Sequence, residues 1–516
     1  MGYSELELKL PTDYSRTDLK NKLIRLTGAD DISFSILRKS LDARNKSDIH
    51  WLLRAGVISE KLTGNIPHTA KLELPPSGHG RNKKVVITGC GPAGIFSALI
   101  LQRCGFDVTL IEKGKDAVSR SAAISDFEKT GVLKMNSGYC FGEGGAGTFS
   151  DGKLTSRTKT ISLEKNFIFE ELIKAGAPDE IAYMAHPHLG SDNLKKIVPE
   201  LVRSFKNAGG TVHFGTEVGG LHKLSGTIKG LELIGEMTGK IEGDFFIFAP
   251  GHSSFDLYRM LIQNGVVFTG KPFAIGFRVE HHQELINISQ WGKKSLPGVK
   301  AAEYRLTANF DTGSAFTFCM CPGGRVVQAA PENGQSIVNG MSDYLRNGIF
   351  ANSAVVTPFK IEELAGKEVT PSTALDLLES FEKRFFQHTN SFKVPAIMIK
   401  DLINRKTSSA LPASSYPFGL ESADLRELFP AAVLQRLISG LTIFNRKLKG
   451  FEEGVAMGLE SKTSAPLKAG RTENFTTPPY SNLYICGEGS GNAGGIISSA
   501  ADGVKTAMAI IFSLQK

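Results

Sequence analysis

The stretch VVITGCGPAGIFSALILQRCGFDVTLIEKG, residues 85–114, decides the fold. It opens with a short apolar run that is typical of a central strand in a parallel sheet. Gly89, Gly91 and Gly94 follow in G-x-G-x-x-G spacing, which permits a tight turn, close approach of the backbone to a pyrophosphate, and close packing of the next helix on the strand. A second apolar run ends at Glu112, whose carboxylate can accept hydrogen bonds from ribose hydroxyls. The whole pattern predicts a dinucleotide site; a purely structural Gly-rich turn is the alternative.

The far end of the chain selects the dinucleotide. Because an acid at position 112 disfavours a 2′-phosphate, NAD and FAD remain. A short apolar strand, NLYIC at 482–486, runs into GEGSGNAGG at 487–495. In flavoproteins with two dinucleotide domains, an acid placed like Glu488 contacts the ribityl chain. FAD is long enough to need both chain ends, so we predict non-covalently bound FAD; the alternative for Glu488 is a capping acid of the last helix.

A third Gly-rich segment, GYCFGEGGAGTFSDG at 138–152, contains six glycines. Such a loop can pack against a flavin ring with its backbone N–H groups, with Ser150, Asp151 and Lys153 at its polar edge; a structural crossover is the alternative. The predicted cofactor-binding residues are Gly89, Gly91, Pro92, Ala93, Gly94, Glu112, Lys113, Arg120, Gly144, Gly145, Ala146, Gly147, Thr148, Gly251, Gly487, Glu488, Gly494, Gly495 and Ile496.

Arg120 and the turn that ends at Gly251 are expected to have specific roles. In similar flavoproteins an arginine placed like Arg120 reaches the adenine-side phosphates, although a solvated surface arginine is the alternative. The turn Ala249-Pro250-Gly251 resembles an Ala-Thr-Gly element near the nucleotide in related enzymes. We therefore expect His252, which follows it, to be a nucleotide-side contact or a cap.

Four residues are the catalytic candidates: Arg278, Glu280, His281 and Lys462. On a strand, Arg278 and Glu280 share a face and His281 points to the other. Imidazole suits proton delivery to a substrate carbon after hydride transfer, although a hydrogen-bonded structural histidine is the alternative. Lys462, in the stretch Glu460-Ser461-Lys462-Thr463, is expected above the flavin, where a cation would stabilise a reduced ring; a structural ion pair is the alternative.

The six cysteines show no CxxC pair and no metal-ligand spacing, so no metal is expected and a reduced cytoplasmic protein is favoured. Cys319 and Cys321 lie one residue apart on one face of a predicted strand. This is poor geometry for a disulfide, so dithiol chemistry is the less favoured interpretation. No uncharged apolar run approaches the length of a membrane span.

We predict an α/β fold: a discontinuous Rossmann-like FAD-binding domain, an inserted α+β substrate domain and a small N-terminal α+β domain. The last has β-α-β-β order and is expected to be ferredoxin-like. The expected bounds are 1–66 for the N-terminal domain, 67–84 for a linker, 85–255 and 455–516 for the two parts of the FAD-binding domain, and 256–454 for the substrate domain.

Nearly the whole chain resembles a bacterial family of FAD-dependent dehydrogenases, or NAD(P)/FAD-dependent oxidoreductases, within the glutathione-reductase-like flavoprotein superfamily. The segments that carry the resemblance are SLDARNKSDIHW (40–51), FGEGGAGTFSDGKL (141–154), PFAIGFRVEHHQ (272–283), FCMCPGGRVVQAA (318–330), NGMSDYLRNGIFANSA (339–354) and LESKTSAPLK (459–468). It implies tightly held FAD but supplies no substrate. This sequence has His282 where the family tends to have proline and Lys462 where it tends to have arginine, which puts a bidentate carboxylate clamp at Lys462 in doubt.

Three functional hypotheses follow. In the first, a redox enzyme passes hydride between flavin N5 and a small molecule, with NADH or NADPH as a transient reductant or another electron carrier in its place. In the second, a flavin-dependent enzyme modifies RNA and docks through its N-terminal domain, where 15 basic and 10 acidic residues through position 84 supply +5 of the net charge of +8. Nucleic-acid binding is the less favoured interpretation, because the charge forms no compact basic run. In the third, the protein is a non-catalytic flavin-binding sensor.

Overall fold

A five-stranded parallel sheet takes its strands from both ends of the chain in the computed structural model, which describes residues 1–68 and 70–514. The strands are β1 (Gly2–Leu10), β2 (Ser33–Asp42), β3 (His50–Ser59), β4 (Lys84–Thr88), β5 (Asp107–Ile111), β6 (Thr211–His213), β7 (Thr216–Leu224), β8 (Thr227–Gly235), β9 (Gly239–Glu242), β10 (Phe245–Phe248), β11 (Phe268–Gly270), β12 (Phe273–His282), β13 (Thr307–Phe310), β14 (Gly313–Cys321), β15 (Gly324–Gln328), β16 (Val338–Ser342), β17 (Phe350–Phe359), β18 (Val394–Met398), β19 (Leu420–Ser422), β20 (Val455–Glu460), β21 (Leu467–Ala469) and β22 (Leu483–Ile485).

The helices are α1 (Arg16–Thr27), α2 (Pro92–Arg103), α3 (Ala117–Thr130), α4 (Ser162–Lys174), α5 (Gly190–Asn207), α6 (Phe255–Gln263), α7 (Gln283–Trp291), α8 (Ile361–Ala365), α9 (Pro371–Thr389), α10 (Ile399–Ile403), α11 (Leu425–Leu428), α12 (Ala431–Lys447) and α13 (Ile496–Ser513). Short 3-10 turns lie at Gly145–Phe149, Asp179–Ala182, Phe451–Glu453 and Gly487–Ser490.

The parallel sheet has the strand order β22-β10-β4-β5-β6. Its strands are short and almost entirely buried, as expected when helices cover both faces of a parallel sheet. Because β22 pairs with β10, and β10 with β4, the carboxyl ends of these three strands lie at one edge, where open α/β sheets bind ligands. The predicted α/β class is confirmed; the predicted domain bounds stay predictions.

Helices α2 and α13 pack on each other with small residues at their contact. A Cβ atom on Gly503 would lie 2.2 Å from the carbonyl oxygen of Ala93, and the Ser97 hydroxyl donates to the carbonyl of Gly503 at 3.0 Å. By length and composition alone α13 could cross a membrane, although it contains two charged residues, Asp502 and Lys505. Most of it is buried in the core that also contains α2, so its apolar character has a packing explanation.

A second, seven-stranded sheet has the order β13-β14-β17-β12-β20-β18-β19. Strand β12 lies at its centre and pairs antiparallel with β17 and β20. All ten residues of β12 except His282 are buried, and helices α7 and α12 pack beside it. Charged residues on β12 are consequently held inside the protein.

Residues 1–59 form an antiparallel sheet of order β1-β3-β2 with one helix, α1. Its β-α-β-β order agrees with the sequence prediction. A ferredoxin-like unit also has a second helix and a fourth strand. Between β3 and β4, residues 60–68 and 70–83 contain no helix and only an isolated bridge from Gly64 to Tyr3. The expectation of a ferredoxin-like domain is therefore wrong for the described residues, because Pro67, Pro75 and Pro76 in the segment after β3 cannot donate the backbone hydrogen bonds of a helix or strand.

Candidate cofactor and active site

A cavity of about 1150 Å³ lies at the carboxyl edge of the parallel sheet, beside the seven-stranded sheet. It is larger than the roughly 300–1000 Å³ of most small-ligand sites, so it has room for a dinucleotide and a substrate together. The predicted cofactor residues that line it are Gly89, Gly91, Pro92, Ala93, Glu112, Lys113, Gly145, Ala146, Gly147, Gly251, Gly487, Glu488, Gly494, Gly495 and Ile496.

Three glycines form the turn between β4 and α2. Gly89 has a φ of +104°, and a Cβ atom there would lie 2.3 Å from the carbonyl oxygen of Ala249. A Cβ atom on Gly94 would lie 1.9 Å from the carbonyl oxygen of Gly89, so the helix could not approach the turn with a larger residue. A Cβ atom on Gly91 would meet nothing within 4 Å, because this position faces the cavity. The N-terminus of α2, which has no side-chain cap, is therefore open to a ligand.

The carboxylate of Glu112 joins three loops around the cavity. Its Oε2 accepts a hydrogen bond from the backbone N–H of Cys90 at 2.8 Å. Its Oε1 accepts from the N–H groups of Gly114 and Gly142, each at 2.8 Å. A carboxylate has about four acceptor positions, so Glu112 retains one for a ligand hydroxyl.

Arg120 is fully buried and lies outside the cavity lining. Burial lowers the pKa of its guanidinium to about 10. Its terminal nitrogens donate to four backbone carbonyls of the Gly-rich loop, those of Gly138 (3.4 Å), Tyr139 (3.2 Å), Glu143 (2.8 Å) and Gly145 (3.0 Å). The expectation that Arg120 reaches the adenine-side phosphates is wrong, because its donors are used to hold this loop in shape.

Three other predicted contacts also lie behind the lining. Gly94 packs helix on strand as described, and Gly144 donates its N–H to the carbonyl of Cys90 at 2.7 Å. The Thr148 hydroxyl donates to the carbonyl of Glu143 at 2.7 Å. Gly144 and Thr148 shape the cofactor loops without lining the cavity, so a direct contact with the cofactor is wrong for these two residues. Gly94 allows the close packing of helix on strand that the sequence predicted for it.

The other chain end brings Glu488 to the same cavity. Its side chain is half-buried, in the 3-10 turn after β22, and makes no hydrogen bond to any residue of the described ranges. Burial raises the pKa of Glu488 to about 7, an effect that the ammonium of Lys271 opposes. Helix α13 has Gly495 at its N-cap and no side-chain cap, and Gly494 and Gly495 face open space. Two helix N-termini and one unpaired carboxylate thus meet in one cavity.

Lys462, just after β20, also lines the cavity. Its Nζ lies 2.9 Å from Oε1 of Glu382 on α9 and 3.7 Å from the ring centroid of Phe255. The hydroxyl of Ser461 donates to the same carboxylate oxygen at 2.8 Å. Lys462 therefore lines the cavity and also belongs to a buried ion pair. The predicted position at the cavity and the alternative of a structural ion pair both hold for this residue.

Arg278 is completely buried behind the cavity wall. Its Nη1 lies 2.9 Å from Oε2 of Glu460, and its Nε donates to Oδ1 of Asn352 at 2.7 Å. Glu460 lines the cavity, whereas Arg278 does not. Burial raises the pKa of Glu460, and the guanidinium of Arg278 opposes that rise. Arg278 is consequently placed to position Glu460 and not to touch a substrate, as a catalytic residue would.

Glu280 and His281 point away from the cavity. The carboxylate of Glu280 accepts hydrogen bonds from the backbone N–H of Ser415 at 3.0 Å and from the hydroxyl of the same residue. His281 contacts the carbonyl oxygen of Phe451 through Nε2 at 2.7 Å, and burial lowers its pKa to about 4. Both side chains are buried outside the cavity lining, so the predicted acid role is wrong for His281 and Glu280 does not reach a substrate held in the cavity.

The polar edge of the Gly-rich loop is a network around Asp151. Its carboxylate lies 2.7 Å from Nη2 of Arg346 and 2.9 Å from Nζ of Lys153, and it also accepts from the hydroxyl of Ser342. Although burial acts in the opposite direction, Lys153 and Arg346 hold the pKa of Asp151 below its usual range. His252, after the turn Ala249-Pro250-Gly251, also lines the cavity, and burial lowers its pKa to about 4.

Sequence reasoning did not identify the partners of these charges. Glu382, Arg346 and Asn352 lie far along the chain from the groups they bind, and no local pattern links them to those groups. Glu382 stands in FEKRFF, where three adjacent charged residues give no sign of which one is buried or which distant group it binds.

Comparison with known proteins supplies a family. Residues 272–463 match a family described as FAD-dependent protein, C-terminal domain-like. A Clostridium beijerinckii protein, described as uncharacterized, is 36% identical over 537 residues, with 99% of each chain covered. The assignment to the glutathione-reductase-like superfamily stays a prediction.

Two solved structures of FAD-related proteins are weakly similar to this chain. The flavin-dependent halogenase CmlS has a TM-score of 0.39 and 13% identity, covering 84% of this chain and 58% of that one. A geranylgeranyl bacteriochlorophyll reductase-like protein of Thermoplasma acidophilum has a TM-score of 0.38 and 11% identity, covering 84% and 79%. At these TM-scores the similarity adds nothing to the functional argument.

Proposed function

This chain belongs to the same family as the Clostridium beijerinckii protein and carries the C-terminal domain of FAD-dependent proteins, and from this premise we propose that it is an FAD-dependent oxidoreductase. It transfers hydride between flavin N5 and a small-molecule substrate. The observation that carries the proposal is the shared cavity, where the unpaired carboxylate of Glu488 faces the same space as the open turn at Gly91. A cytoplasmic location, which the free thiols favour, is part of the proposal.

The residues of the cavity fit this cofactor. The uncapped N-termini of α2 and α13 offer backbone N–H groups to a pyrophosphate and a flavin pyrimidine ring. Glu112 keeps one acceptor position for a ribose hydroxyl, and Glu488 has its whole carboxylate available for the ribityl hydroxyls. When bound, FAD supplies two-electron hydride transfer, which protein side chains cannot perform.

The chain's own groups supply binding, charge and protons. Lys462 holds a positive charge at the cavity wall, where Glu382 fixes its position. Glu460 is the carboxyl group that holds or releases a proton there, because its burial disfavours the charged form and Arg278 limits that effect. In this proposal Lys462 and Glu460 take the catalytic positions, and Arg278 positions Glu460.

The proposal is tested first by the colour of the purified protein and by the cofactor released when it is heat-denatured, which should be FAD at about one per chain. Rapid mixing of the yellow protein with NADH or with NADPH then tests a nicotinamide reductant, by loss of the visible flavin band. A colourless protein that cannot be reconstituted with FAD would refute the proposal. A yellow protein that neither nicotinamide bleaches would limit the reductant to another electron carrier.

A further inference from the structure

The first part of strand β14 presents an aromatic face to the cavity. Phe316 and Phe318 alternate along the strand with Ala315 and Thr317, which are buried. Both phenylalanines line the cavity, and Phe318 is 41% exposed. Exposed rings in a cavity wall are typical of ligand sites, where they cover an apolar part of the ligand.

The strand becomes irregular directly after this face. Phe318 pairs with Ala354 on β17, but the next paired residue of β14 is Cys321, which lies opposite Asn352, so one extra residue is inserted. The insertion is a β-bulge, and Cys319 within it has a φ of +46°, which is uncommon for a residue other than glycine. The sequence predicts both cysteines on one face of a regular strand, and the bulge breaks that alternation. The aromatic face therefore ends at Phe318.

The segment before β13 brings an arginine to the aromatic face. The antiparallel pairing of β13 with β14 extends beyond β13, because the backbone N–H of Thr317 donates to the carbonyl of Leu306 at 2.9 Å. In the same register Arg305 comes opposite Phe318, and directly opposite residues of an antiparallel pair share a face. Arg305 is exposed and lines the cavity. A cation and an aromatic ring therefore lie side by side on one wall.

A second arginine comes from the segment after the Gly-rich loop. The ammonium of Lys153 donates to the carbonyl of Met320, which attaches the start of this segment to β14. Arg157 lies four residues further along, where it is exposed and lines the cavity. Two guanidinium groups from separate segments thus reach the same cavity.

The acidic cavity residues of these two segments, Asp151 and Glu303, are already paired. The carboxylate of Asp151 lies 2.7 Å from Nη2 of Arg346 and 2.9 Å from Nζ of Lys153. That of Glu303 lies 3.4 Å from Nδ1 of His186. By contrast, the two cavity arginines form no ion pair with any residue that the structure describes. Their positive charge is not neutralised by the protein, so this wall of the cavity attracts an anion.

The aromatic face shares a row of the seven-stranded sheet with a proposed catalytic group. Phe316 pairs with Val356, Val356 with Gly276, and Gly276 with Glu460. Neighbouring strands are about 4.8 Å apart, so three spacings separate the backbones of Phe316 and Glu460 by about 14 Å. Both ends of the row line the cavity, so one elongated substrate can contact both.

We propose that Phe316, Phe318, Arg305 and Arg157 form a recognition subsite for a substrate that has an aromatic body and an anionic group, a carboxylate or a phosphate. The inference rests on the proposed flavin function, since it concerns the substrate of that oxidoreductase. Planar rings stack on phenylalanine and on a guanidinium plane, so an aromatic body is favoured over an aliphatic chain. The guanidinium groups bind the anion through their paired N–H donors.

The first test is calorimetric titration of the yellow holoprotein with naphthoate, naphthyl phosphate and naphthamide, all substituted at the same ring position. One of the two anions should bind at least about tenfold more tightly than the neutral amide, as expected for one charge-assisted hydrogen bond. The tighter anion identifies the source of the negative charge. Equal affinities for all three probes, or no binding of any probe at millimolar concentration, would overturn the inference.

Substitutions then assign the contacts. Arg305→Met should weaken the anionic probe about tenfold and change naphthamide binding by less than about twofold. Phe318→Leu should weaken all three probes by about threefold, because it keeps an apolar side chain but removes the ring. Arg25→Met is the matched control, since Arg25 is exposed and lies outside the cavity lining. Equal effects of Arg305→Met and Arg25→Met would refute the subsite, because the anion would then respond only to net charge.

Flavin content separates this inference from the proposed function. Arg305→Met and Phe318→Leu should purify with as much flavin as wild type, because both residues lie at the β13–β14 edge and not at the Gly-rich turns. Flavin loss from Arg305→Met would assign that arginine to the cofactor and refute the subsite. Yellow protein that binds no probe would leave the flavin function standing. Colourless protein that binds the probes in the expected order would refute the flavin function and preserve the subsite.

Discussion

Lys462 and Glu382 form an ion pair in which Nζ lies 2.9 Å from Oε1 and the side chains are 4% and 0% exposed. One end of the pair faces the cavity and the other is enclosed by α9 and Phe255. A charge at the cavity is therefore kept in place by a carboxylate that no ligand can reach.

Lys462→Met should lower the free energy of unfolding by about 3–5 kcal/mol, because it leaves the buried carboxylate of Glu382 without a counter-charge. The double variant Lys462→Met/Glu382→Gln should recover most of the loss. Urea unfolding measures both, with the exposed Lys468→Met as control, for which a change below about 0.5 kcal/mol is expected. Equal losses of unfolding free energy in the single and double variants would show that lost packing, and not the unpaired charge, causes the destabilisation.

Gly91→Ala and Gly94→Ala should fail in different ways. The new Cβ at position 91 enters the open cavity, so the protein should fold with unchanged thermal stability but lose its flavin. The ratio of visible to ultraviolet absorbance measures the flavin content. The new Cβ at position 94 would lie 1.9 Å from the Gly89 carbonyl oxygen, so this variant should be destabilised even without cofactor. Gly470→Ala, where the nearest atom is 3.5 Å away, is the control. Full flavin content in Gly91→Ala would place the pyrophosphate elsewhere.

Glu488 should make the cofactor-free protein less stable as the pH rises. Its folded-state pKa of about 7 exceeds the roughly 4.3 of a glutamate in an unfolded chain. The folded protein therefore holds the proton more tightly, and the stabilising contribution is present below about pH 4 and lost by about pH 7. Deflavinated Glu488→Gln should melt at a higher temperature than wild type at pH 8, and the two should converge toward pH 5.

The control for this measurement is Glu473→Gln, since Glu473 is exposed and lies outside the cavity lining. The gap between that variant and wild type should be the same at both pH values. A pH-independent gap for Glu488→Gln as well would mean that its carboxyl is not held in an environment that disfavours charge.

Arg120→Met should loosen the Gly-rich loop, because four backbone carbonyls lose their donor at once. Each buried acceptor left without a partner costs roughly 1–3 kcal/mol before relaxation. Limited proteolysis should cut the variant within residues 138–147 faster than wild type. Lys129→Met, at an exposed position of the same helix, should leave the digestion pattern unchanged. No change in cleavage would mean that the loop is held by its other contacts.

The sequence pattern predicted those strands and helices that are marked by apolar runs and glycine turns. Strand β4 covers Lys84–Thr88, and the helix after it begins at Pro92, because a buried apolar run and a glycine turn leave few alternatives. The helical segment from Leu425 to Lys447 is divided into α11 and α12, since Pro430 lies between them and interrupts the backbone hydrogen bonds.

Long-range geometry was not available from the sequence. Three features depend on which distant segment lies opposite. They are the hydrogen-bond partners of Arg120, the ion-pair partner of Lys462 and the left-handed backbone at Cys319. His281 shows the same limit, because strand alternation could not show that its side chain is enclosed beside Phe451. The RNA-docking and sensor hypotheses stay predictions.

Strand β22 pairs with β10, yet more than two hundred residues of chain separate them. During synthesis on the ribosome, β4, β5 and β10 emerge long before the strand that completes their sheet. The nascent chain therefore has an unpaired apolar sheet edge and half of a ligand site until β22 has been synthesised. Messages truncated shortly before codon 483 should yield protein that depends on chaperones and cannot retain a dinucleotide, however complete its first Gly-rich turn.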